Sequence, residues 1–298
     1  MNSRYERALQ SLEGLSVGDA FGEKFFVNPD VVESLIDSRA VPAAPWRFTD
    51  DTMMALSIVS VLRGFVVINQ DALANSFARH YDPSRGYGPA THRLLGEIRA
   101  GGRWSEVARS QFCGQGSYGN GAAMRVAPLG AFFADDLEMV VRQAELSAVT
   151  THAHSEAVAG AVAVAIAAAQ AWRLREQRPL PARPEFLDLI FPCVPDSEVR
   201  SGIRKARDLS ANATVKTAVH FLGNGAGVSA QDTVPFALWC AGESLGDFEE
   251  AMWLTVSGLG NSDTTCAIVG GIVALSAGAG SIPHEWKQAR EPLPEWQN

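Results

Sequence analysis

The chain has 298 residues, of which 47% are hydrophobic and 19% are charged, a composition that supplies a large core and excludes long disordered tracts. Lys and Arg number 25 against 33 Asp and Glu, which gives a formal net charge of −8. An acidic protein repels phosphate backbones, so the composition argues against general nucleic-acid binding, although exposed backbone N–H groups can still bind one small anion.

The cysteines and the N-terminus indicate a cytoplasmic protein. The N-terminal stretch MNSRYERALQSLEG is charged and lacks the apolar core of a signal peptide. No two cysteines are close enough in sequence to form a zinc knuckle or a redox pair, and we expect buried free thiols in a reducing compartment at Cys113, Cys193, Cys240 and Cys266. We also expect the chain to be monomeric.

Helical periodicity recurs along the chain, whereas strand patterns are scarce. The first apolar stripe at helical spacing consists of Tyr5, Ala8, Leu9 and Leu12. Segment 53–62 is apolar nearly all round, which predicts a central helix, and 152–175 is rich in alanine, the best helix former. Segment 66–68 is the one short strand candidate. We therefore predict an all-α fold that forms a single large helical domain over residues 1–298.

Three further segments bear on the architecture. The five prolines of 173–195 predict an ordered surface excursion or a hinge, and we expect no domain boundary there. Segment 157–172 is apolar but shorter than the roughly 20 residues of a membrane span, and 266–282 is interrupted by four glycines. We predict that both apolar segments are buried helices and that no membrane is crossed.

Two clusters of acids and hydroxyls each precede an apolar helix. They are Thr49-Asp50-Asp51-Thr52 and Asn261-Ser262-Asp263-Thr264-Thr265. Either cluster alone is typical of a helix N-cap. A cap needs only one such residue, however, and burying adjacent carboxylates costs free energy unless a cation or donors compensate. If the two helix starts converge, they form an all-oxygen cage suited to Mg²⁺ or Mn²⁺.

A glycine-rich segment at 114–121 is a candidate phosphate site. Its bare backbone N–H groups can bind a phosphate or diphosphate, but it matches no established nucleotide motif and is equally typical of a flexible loop. His152 and His154 precede the alanine-rich helix, where one of them either binds a ribose or phosphate or makes a structural bond. A second glycine-rich loop, 223–232, either lines a pocket or turns the chain.

Five motifs in sequence order resemble the ADP-ribosylglycohydrolase family. They are GDAFG at 18–22, TDDT at 49–52, GSYGNGAAMRVAPLG at 116–130, TH at 151–152 and SDTT at 262–265. The resemblance spans nearly the whole chain. It implies an all-α hydrolase with two Mg²⁺ ions, for which Mn²⁺ can substitute, and a cleft for ADP-ribose.

The resemblance also implies roles for individual residues. The metal ligands that it implies are Thr49, Asp50, Asp51, Asp263 and Thr264. The residues that it implies around the diphosphate and the proximal ribose are Gly116, Ser117, Tyr118, Gly119 and Asn120, with His152 nearby. The loop around 225–231 is expected to face the adenosine half of the ligand.

Two positions depart from the family pattern. The last motif of the family usually carries two acids, and Asn261 stands in place of the first; we include it among the candidate ligands because it offers an oxygen without the charge. Phe26 stands where the family often has a glutamate near the metals, and Glu23, three residues earlier, is the candidate to replace it. The catalytic residues that we expect are therefore Asp51, Asp263 and Glu23.

The sequence thus predicts a Mg²⁺-dependent hydrolase that removes ADP-ribose by cleaving the glycosidic bond at the proximal ribose. The expected substrate is an ADP-ribosylated protein or a small ADP-ribosyl compound, and the acceptor is open among arginine, serine, a nucleobase and a small molecule. The alternative is an ADP-ribose-binding protein, a reader or pseudoenzyme, that has lost catalysis through Phe26 and Asn261. Binding that leaves the linkage intact would distinguish this alternative from an enzyme.

Overall fold

The computed structural model describes residues 3–294 and 296, and its regular structure is helical. The α-helices are α1 (Arg4–Glu23), α2 (Pro29–Ser38), α3 (Asp50–Phe65), α4 (Gln70–Arg79), α5 (Pro89–Arg99), α6 (Trp104–Gly114), α7 (Ala127–Phe132), α8 (Leu137–Ala148), α9 (Ser155–Leu174), α10 (Arg183–Ile190), α11 (Glu198–Asp208), α12 (Val215–Leu222), α13 (Ala230–Glu243), α14 (Phe248–Val256), α15 (Ser262–Ala277) and α16 (His284–Ala289). The predicted all-α class is confirmed.

The strand candidate at 66–68 does not form a strand. Val66 ends α3 in the left-handed region, with φ 63°, and its N–H donates to the carbonyl of Leu62. The segment then turns directly into α4, so its β-branched residues never meet a partner strand. In the described part of the chain, β pairing is limited to two isolated bridges, Trp46 with Arg290 and Gly119 with Ser229.

The core is built from apolar helices that pack on both sides of α15. Helix α9 is long and apolar enough to cross a membrane, but 89% of its most apolar window is buried inside the protein. It packs against α7, α8, α13 and α15. Helix α10, within the proline-rich segment 173–195, packs against α9, α11 and α13, so this segment is an ordered part of the helical body.

The expectation of buried free thiols is met by two of the four cysteines. Cys240 and Cys266 are buried in helices of the core. Cys113 is exposed and Cys193 is partly exposed, so the expectation is wrong for these two. Both lie where a helix or helical turn ends near the surface, which the cysteine spacing does not reveal.

Three glycines bring α1 into backbone contact with α15. A Cβ at Gly14 would lie 2.3 Å from the carbonyl oxygen of Gly270, and a Cβ at Gly18 would lie 2.2 Å from that of Cys266. At Gly22 the Cβ would lie 2.2 Å from the carbonyl oxygen of Ser262. The contacts run in opposite directions along the two helices, so the helices are antiparallel. The end of α1 therefore lies against the start of α15.

We expect Gly18→Ala to destabilise the protein, because the new methyl group would overlap a backbone carbonyl that cannot rotate away. Overpacking of this kind costs about 1–3 kcal/mol or more. The matched control is Gly96→Ala in α5, where a Cβ meets nothing within 4 Å. Alanine there should be neutral or stabilising by about 0.4–1 kcal/mol. Urea unfolding of both variants measures the difference, and equal stabilities would contradict the close packing.

Candidate active site

The two acidic helix starts meet, although they are far apart in sequence. Thr49 is the N-cap of α3, and Asp50 and Asp51 form its first turn. Asp263 and Thr264 lie in the first turn of α15. The Thr264 hydroxyl donates to Asp51 Oδ2 at 3.3 Å, which joins the two starts directly.

Asp19, in the middle of the GDAFG motif, anchors the start of α3. Its fully buried carboxylate accepts hydrogen bonds from the backbone N–H and the hydroxyl of Thr49, each at 2.9 Å. It also accepts from the backbone N–H of Thr52, at 3.1 Å, and from the Thr52 hydroxyl. The sequence motif alone does not predict this role for Asp19, because its partners lie about 30 residues away, at the start of another helix.

Thr49 Oγ1 lies between two carboxylates. It is 2.9 Å from Asp19 Oδ1 and 3.0 Å from Asp51 Oδ2. A hydroxyl has one hydrogen, so it can donate to only one of them at a time. When the hydrogen goes to Asp19, the Asp51 oxygen and a lone pair of Thr49 are both available to a cation.

Burial sets the electrostatics of the acids. Desolvation, followed by the charge of Asp263, raises the pKa of both Asp50 and Asp51 well above the ordinary range. Burial raises the pKa of Asp19 to about 7 and that of Asp263 to about 6. The buried guanidinium of Arg125 offsets only part of this effect at Asp50. Four carboxyl groups that are this costly to ionise indicate a site that needs added positive charge.

The donor set fits a hard divalent cation. Asp51 Oδ1 is buried and has no hydrogen-bond partner, which leaves a carboxylate oxygen unsatisfied in the protein. The surrounding donors are carboxylate, hydroxyl and amide oxygens, which Mg²⁺ and Mn²⁺ prefer. In residues 3–294 and 296, no group of three or more His, Cys, Asp or Glu side chains is close enough to hold a metal. A metal here would therefore rely on hydroxyl, amide and water oxygens as well as carboxylates.

Glu23 is the last residue of α1 and faces the start of α15. Partial burial and the charge of Asp263 raise its pKa to about 7, while Arg47 and Lys24 lower it. Phe26, which occupies the position of the expected glutamate, is 51% exposed. Glu23 is thus an exposed acid that α1 supplies beside the start of α15, in addition to the buried Asp19.

The glycine-rich loop lies beside the acids and is held by the second glycine-rich loop. Gly119 forms a bridge with Ser229, and the N–H of Asn120 donates to the carbonyl of Val228 at 3.3 Å. Ser117 Oγ accepts from the N–H of Gly119 at 3.2 Å, so this turn is ordered. Both glycine-rich loops therefore form one wall of the site.

Gly116 has a packing role. A Cβ there would lie 2.8 Å from the backbone nitrogen of His154, and its φ is 76°. It does not line the cavity described below. His154 itself caps α9, where its Nδ1 accepts from the N–H of Glu156 at 3.1 Å. Of the two histidines, His154 therefore makes the structural bond. His152 remains as the candidate to bind a ribose or phosphate.

His152 is buried beneath the glycine-rich loop and is uncharged. Burial, followed by the charge of Arg125, lowers its pKa to about 3. Its Nδ1 is 2.7 Å from Thr151 Oγ1. A Cβ at Gly121 would lie 2.8 Å from His152 Nε2, so glycine is required where the loop crosses the ring. The histidine offers a neutral polar edge to the cavity.

A cavity of about 400 Å³ joins these parts. It is lined by Asp50, Gly86, Gly88, Pro89, Ala90, Thr91, Phe112, Ser117, Tyr118, Gly119, Asn120, Gly121, Met124, His152, Gly227, Val228, Asn261, Asp263 and Thr264. The lining combines the acids and amides of the two helix starts, glycine-rich backbone and apolar side chains. A ligand with a sugar, phosphates and a flat base matches this combination of surfaces.

Phe112 lines this cavity and is a site residue that the sequence did not predict. The backbone of α6 leaves helical geometry at 111–113, and Phe112 and Cys113 have φ values of 49° and 58°. The kink leaves the Phe112 ring 48% exposed, with its centroid 5.9 Å from that of Tyr118. No glycine or proline in 104–113 signals this kink.

Comparison with known proteins gives one consistent family resemblance over nearly the whole chain. The model of the ADP-ribosylglycohydrolase family matches residues 1–297. The chain is 28% identical to the human ADP-ribosylhydrolase ARH3, covering 95% of this chain and 89% of that protein. It is 24% identical to the ADP-ribosylarginine hydrolase Tri1 of Pseudomonas putida, covering 94% and 73%. A solved structure described as an ADP-ribosylglycohydrolase-related protein complex shares 26% identity and a TM-score of 0.64, covering 98% and 94%.

Proposed function

The chain belongs to the ADP-ribosylglycohydrolase family, and on that premise we propose that it hydrolyses the glycosidic bond at the proximal ribose of an ADP-ribosylated substrate in a Mg²⁺-dependent reaction. The observation that carries the proposal is the contact between the two acidic helix starts at one end of the cavity. The names of its relatives, ADP-ribosylhydrolase and ADP-ribosylarginine hydrolase, describe hydrolysis of an ADP-ribosyl bond.

The acids and hydroxyls of α3 and α15 would hold the divalent ions. The candidate ligands are Thr49, Asp50, Asp51, Asn261, Asp263 and Thr264. When bound, such ions supply positive charge that orients substrate hydroxyls and a water molecule. The unsatisfied Asp51 Oδ1 and the raised pKa values of the acids support this assignment.

The protein's own carboxylates would then serve the chemistry. Glu23, with a pKa near 7, is poised to accept a proton from the attacking water close to neutral pH. As the bond between C1 and the acceptor breaks, its electron pair would leave with the acceptor, which takes up a proton from solvent. The carboxylates of Asp51 and Asp263 would stabilise the positive charge that develops at C1 of the ribose. The two helix starts thus act on the ribose end of the ligand.

The rest of ADP-ribose would follow the cavity away from the acids. Backbone N–H groups of 117–120 would bind the diphosphate. The neutral imidazole of His152 can donate or accept one hydrogen bond without adding charge. The exposed rings of Phe112 and Tyr118 would stack on the adenine, with Val228 of the second glycine-rich loop beside it.

We expect Phe112→Ala to weaken ADP-ribose binding about 5- to 150-fold, because stacking of a base on an aromatic ring is worth roughly 1–3 kcal/mol. Calorimetry with ADP-ribose and with ribose 5-phosphate measures this, and the loss should be confined to the adenine-containing ligand. The control is Phe221→Ala, an exposed phenylalanine of α12 that does not line the cavity. An equal loss for both ligands would place the adenine elsewhere.

Turnover tests the function directly. The purified protein is incubated with proteins ADP-ribosylated on arginine or on serine, with Mg²⁺ or with EDTA, and released ADP-ribose is quantified. We expect release with Mg²⁺ from at least one substrate and little with EDTA. Tight binding of ADP-ribose without any release would favour the reader.

A further inference from the structure

Asn261 stands between the glycine-rich loop and Asp263. Its amide oxygen accepts from Asn120 Nδ2 at 2.9 Å, and its amide nitrogen donates to Asp263 Oδ1 at 2.7 Å. Asn120 Nδ2 also donates to Thr233 Oγ1 at 3.0 Å, and that hydroxyl donates to the carbonyl of Ser229 at 2.8 Å. One chain of hydrogen bonds therefore runs from the second glycine-rich loop to the acid of α15.

The direction of each bond in this chain is determined. The single hydrogen of the Thr233 hydroxyl is used by Ser229, so Thr233 can only accept from Asn120. The Asn120 nitrogen therefore faces Asn261, which must turn its oxygen to Asn120. Its nitrogen then faces the carboxylate of Asp263, which is acceptor-only when ionised.

An ionised aspartate at position 261 could not make both of these bonds. It would still accept from Asn120, but when ionised it has no hydrogen to donate to Asp263. It would also place a second carboxylate at hydrogen-bond distance from that of Asp263. The amide is thus chemically required by the bonds on its two sides.

We infer that Asn261 is a positioning residue that fixes the Asp263 carboxylate and couples the glycine-rich loop to the acidic helix starts. This inference rests on the proposed function, because the two sites it couples are those for ADP-ribose and Mg²⁺. A ligand that holds Asn120 on the loop would also hold Asn261 and, through it, the Asp263 carboxylate that is a candidate cation ligand. ADP-ribose and Mg²⁺ therefore bind with positive coupling, and the coupling is reciprocal.

A metal-free double-mutant cycle tests the hydrogen-bonded chain itself. The unfolding free energies of Asn120→Ala, Asn261→Ala and the double variant are measured by urea titration in EDTA. Because each single change already breaks the chain, the double variant should lose clearly less stability than the sum of the two. Additive losses would overturn the inference, whether or not the protein binds metal.

Calorimetric Mg²⁺ titration tests the coupling. The matched control is Asn69→Ala, which removes a helix cap at the start of α4, outside the cavity. Asn120→Ala and Asn261→Ala should each weaken Mg²⁺ binding about 10- to 100-fold, as loss of a ligand-orienting partner does. ADP-ribose should tighten Mg²⁺ binding in the wild type and in Asn69→Ala by clearly more than in the other two variants, in which only the direct contact between the ions and the ribose hydroxyls would remain; equal tightening in all four proteins would overturn the coupling.

The outcomes separate this inference from the proposed function. Unchanged Mg²⁺ affinity in Asn120→Ala would overturn the coupling and leave Asn261 as a direct ligand. A wild type that binds no Mg²⁺ would refute the metal dependence, and the coupling between the two ligands with it. The metal-free cycle would still decide whether Asn261 positions Asp263.

Discussion

Asp51→Asn and Asp263→Asn should each reduce ADP-ribose release by about 10³-fold or more. Both variants replace a carboxylate where the two helix starts meet and remove the charge that would bind the cation. Metal assistance is worth several kcal/mol of barrier, and each 1.36 kcal/mol is tenfold in rate. Release from an ADP-ribosylated protein at saturating Mg²⁺ measures the effect.

In the absence of Mg²⁺, Asp51→Asn and Asp263→Asn should each have a free energy of unfolding at least as large as that of the wild type. Each variant loses a carboxyl group that is costly to ionise when buried. This separates loss of chemistry from loss of fold. Asp136→Asn, at the N-cap of α8, is the matched control, since asparagine caps a helix as well as aspartate does. If either site variant retained a tenth or more of the wild-type rate, the carboxylate that it replaces would not be part of the mechanism.

Mg²⁺ should stabilise the protein more at about pH 8 than at about pH 5. Asp19 has a folded pKa of about 7 and an ordinary value of 3.8, and the pKa values of Asp50, Asp51 and Asp263 are raised as well. Between these limits the folded state holds more protons than the unfolded state, so stability without metal falls as pH rises. The four acids should therefore make the metal-free protein less stable at about pH 8 than at about pH 5, and a bound cation should offset that loss.

Thermal unfolding with EDTA and with excess MgCl₂ at both pH values measures this effect. The quantity to compare is the gain from Mg²⁺ at each pH. His152, whose pKa is lowered to about 3 by burial, destabilises the fold at low pH in both solutions, so it cancels from that gain. An equal gain at both pH values, or a larger gain at low pH, would contradict the assignment of the raised carboxyl pKa values to a cation site.

The features that could be predicted from the sequence are those encoded locally. The apolar segment 53–62 lies within α3, and the alanine-rich 152–175 contains α9, because each carries its own helical signal. The acids of Thr49–Thr52 stood out because they precede a buried helix and exceed what a cap requires.

Other features depend on contacts that no local pattern encodes. Asp19 sits in an ordinary helical position, and its role appears only when α3 starts beside it. Phe112 looks like part of α6 until the backbone kinks. The sequence shows only that Asn261 lacks the charge of an acid. Its partner Asn120, 141 residues away in sequence, explains why an amide stands there.

The most direct measurement is anomalous diffraction from crystals grown with Mn²⁺ in place of Mg²⁺. We expect one or two manganese peaks between the starts of α3 and α15, each bound by oxygens that include Asp51 and Asp263. The crystals should come from protein that releases ADP-ribose in the same buffer. If they showed manganese peaks only on other surfaces, that result would contradict a cation site between the two helix starts.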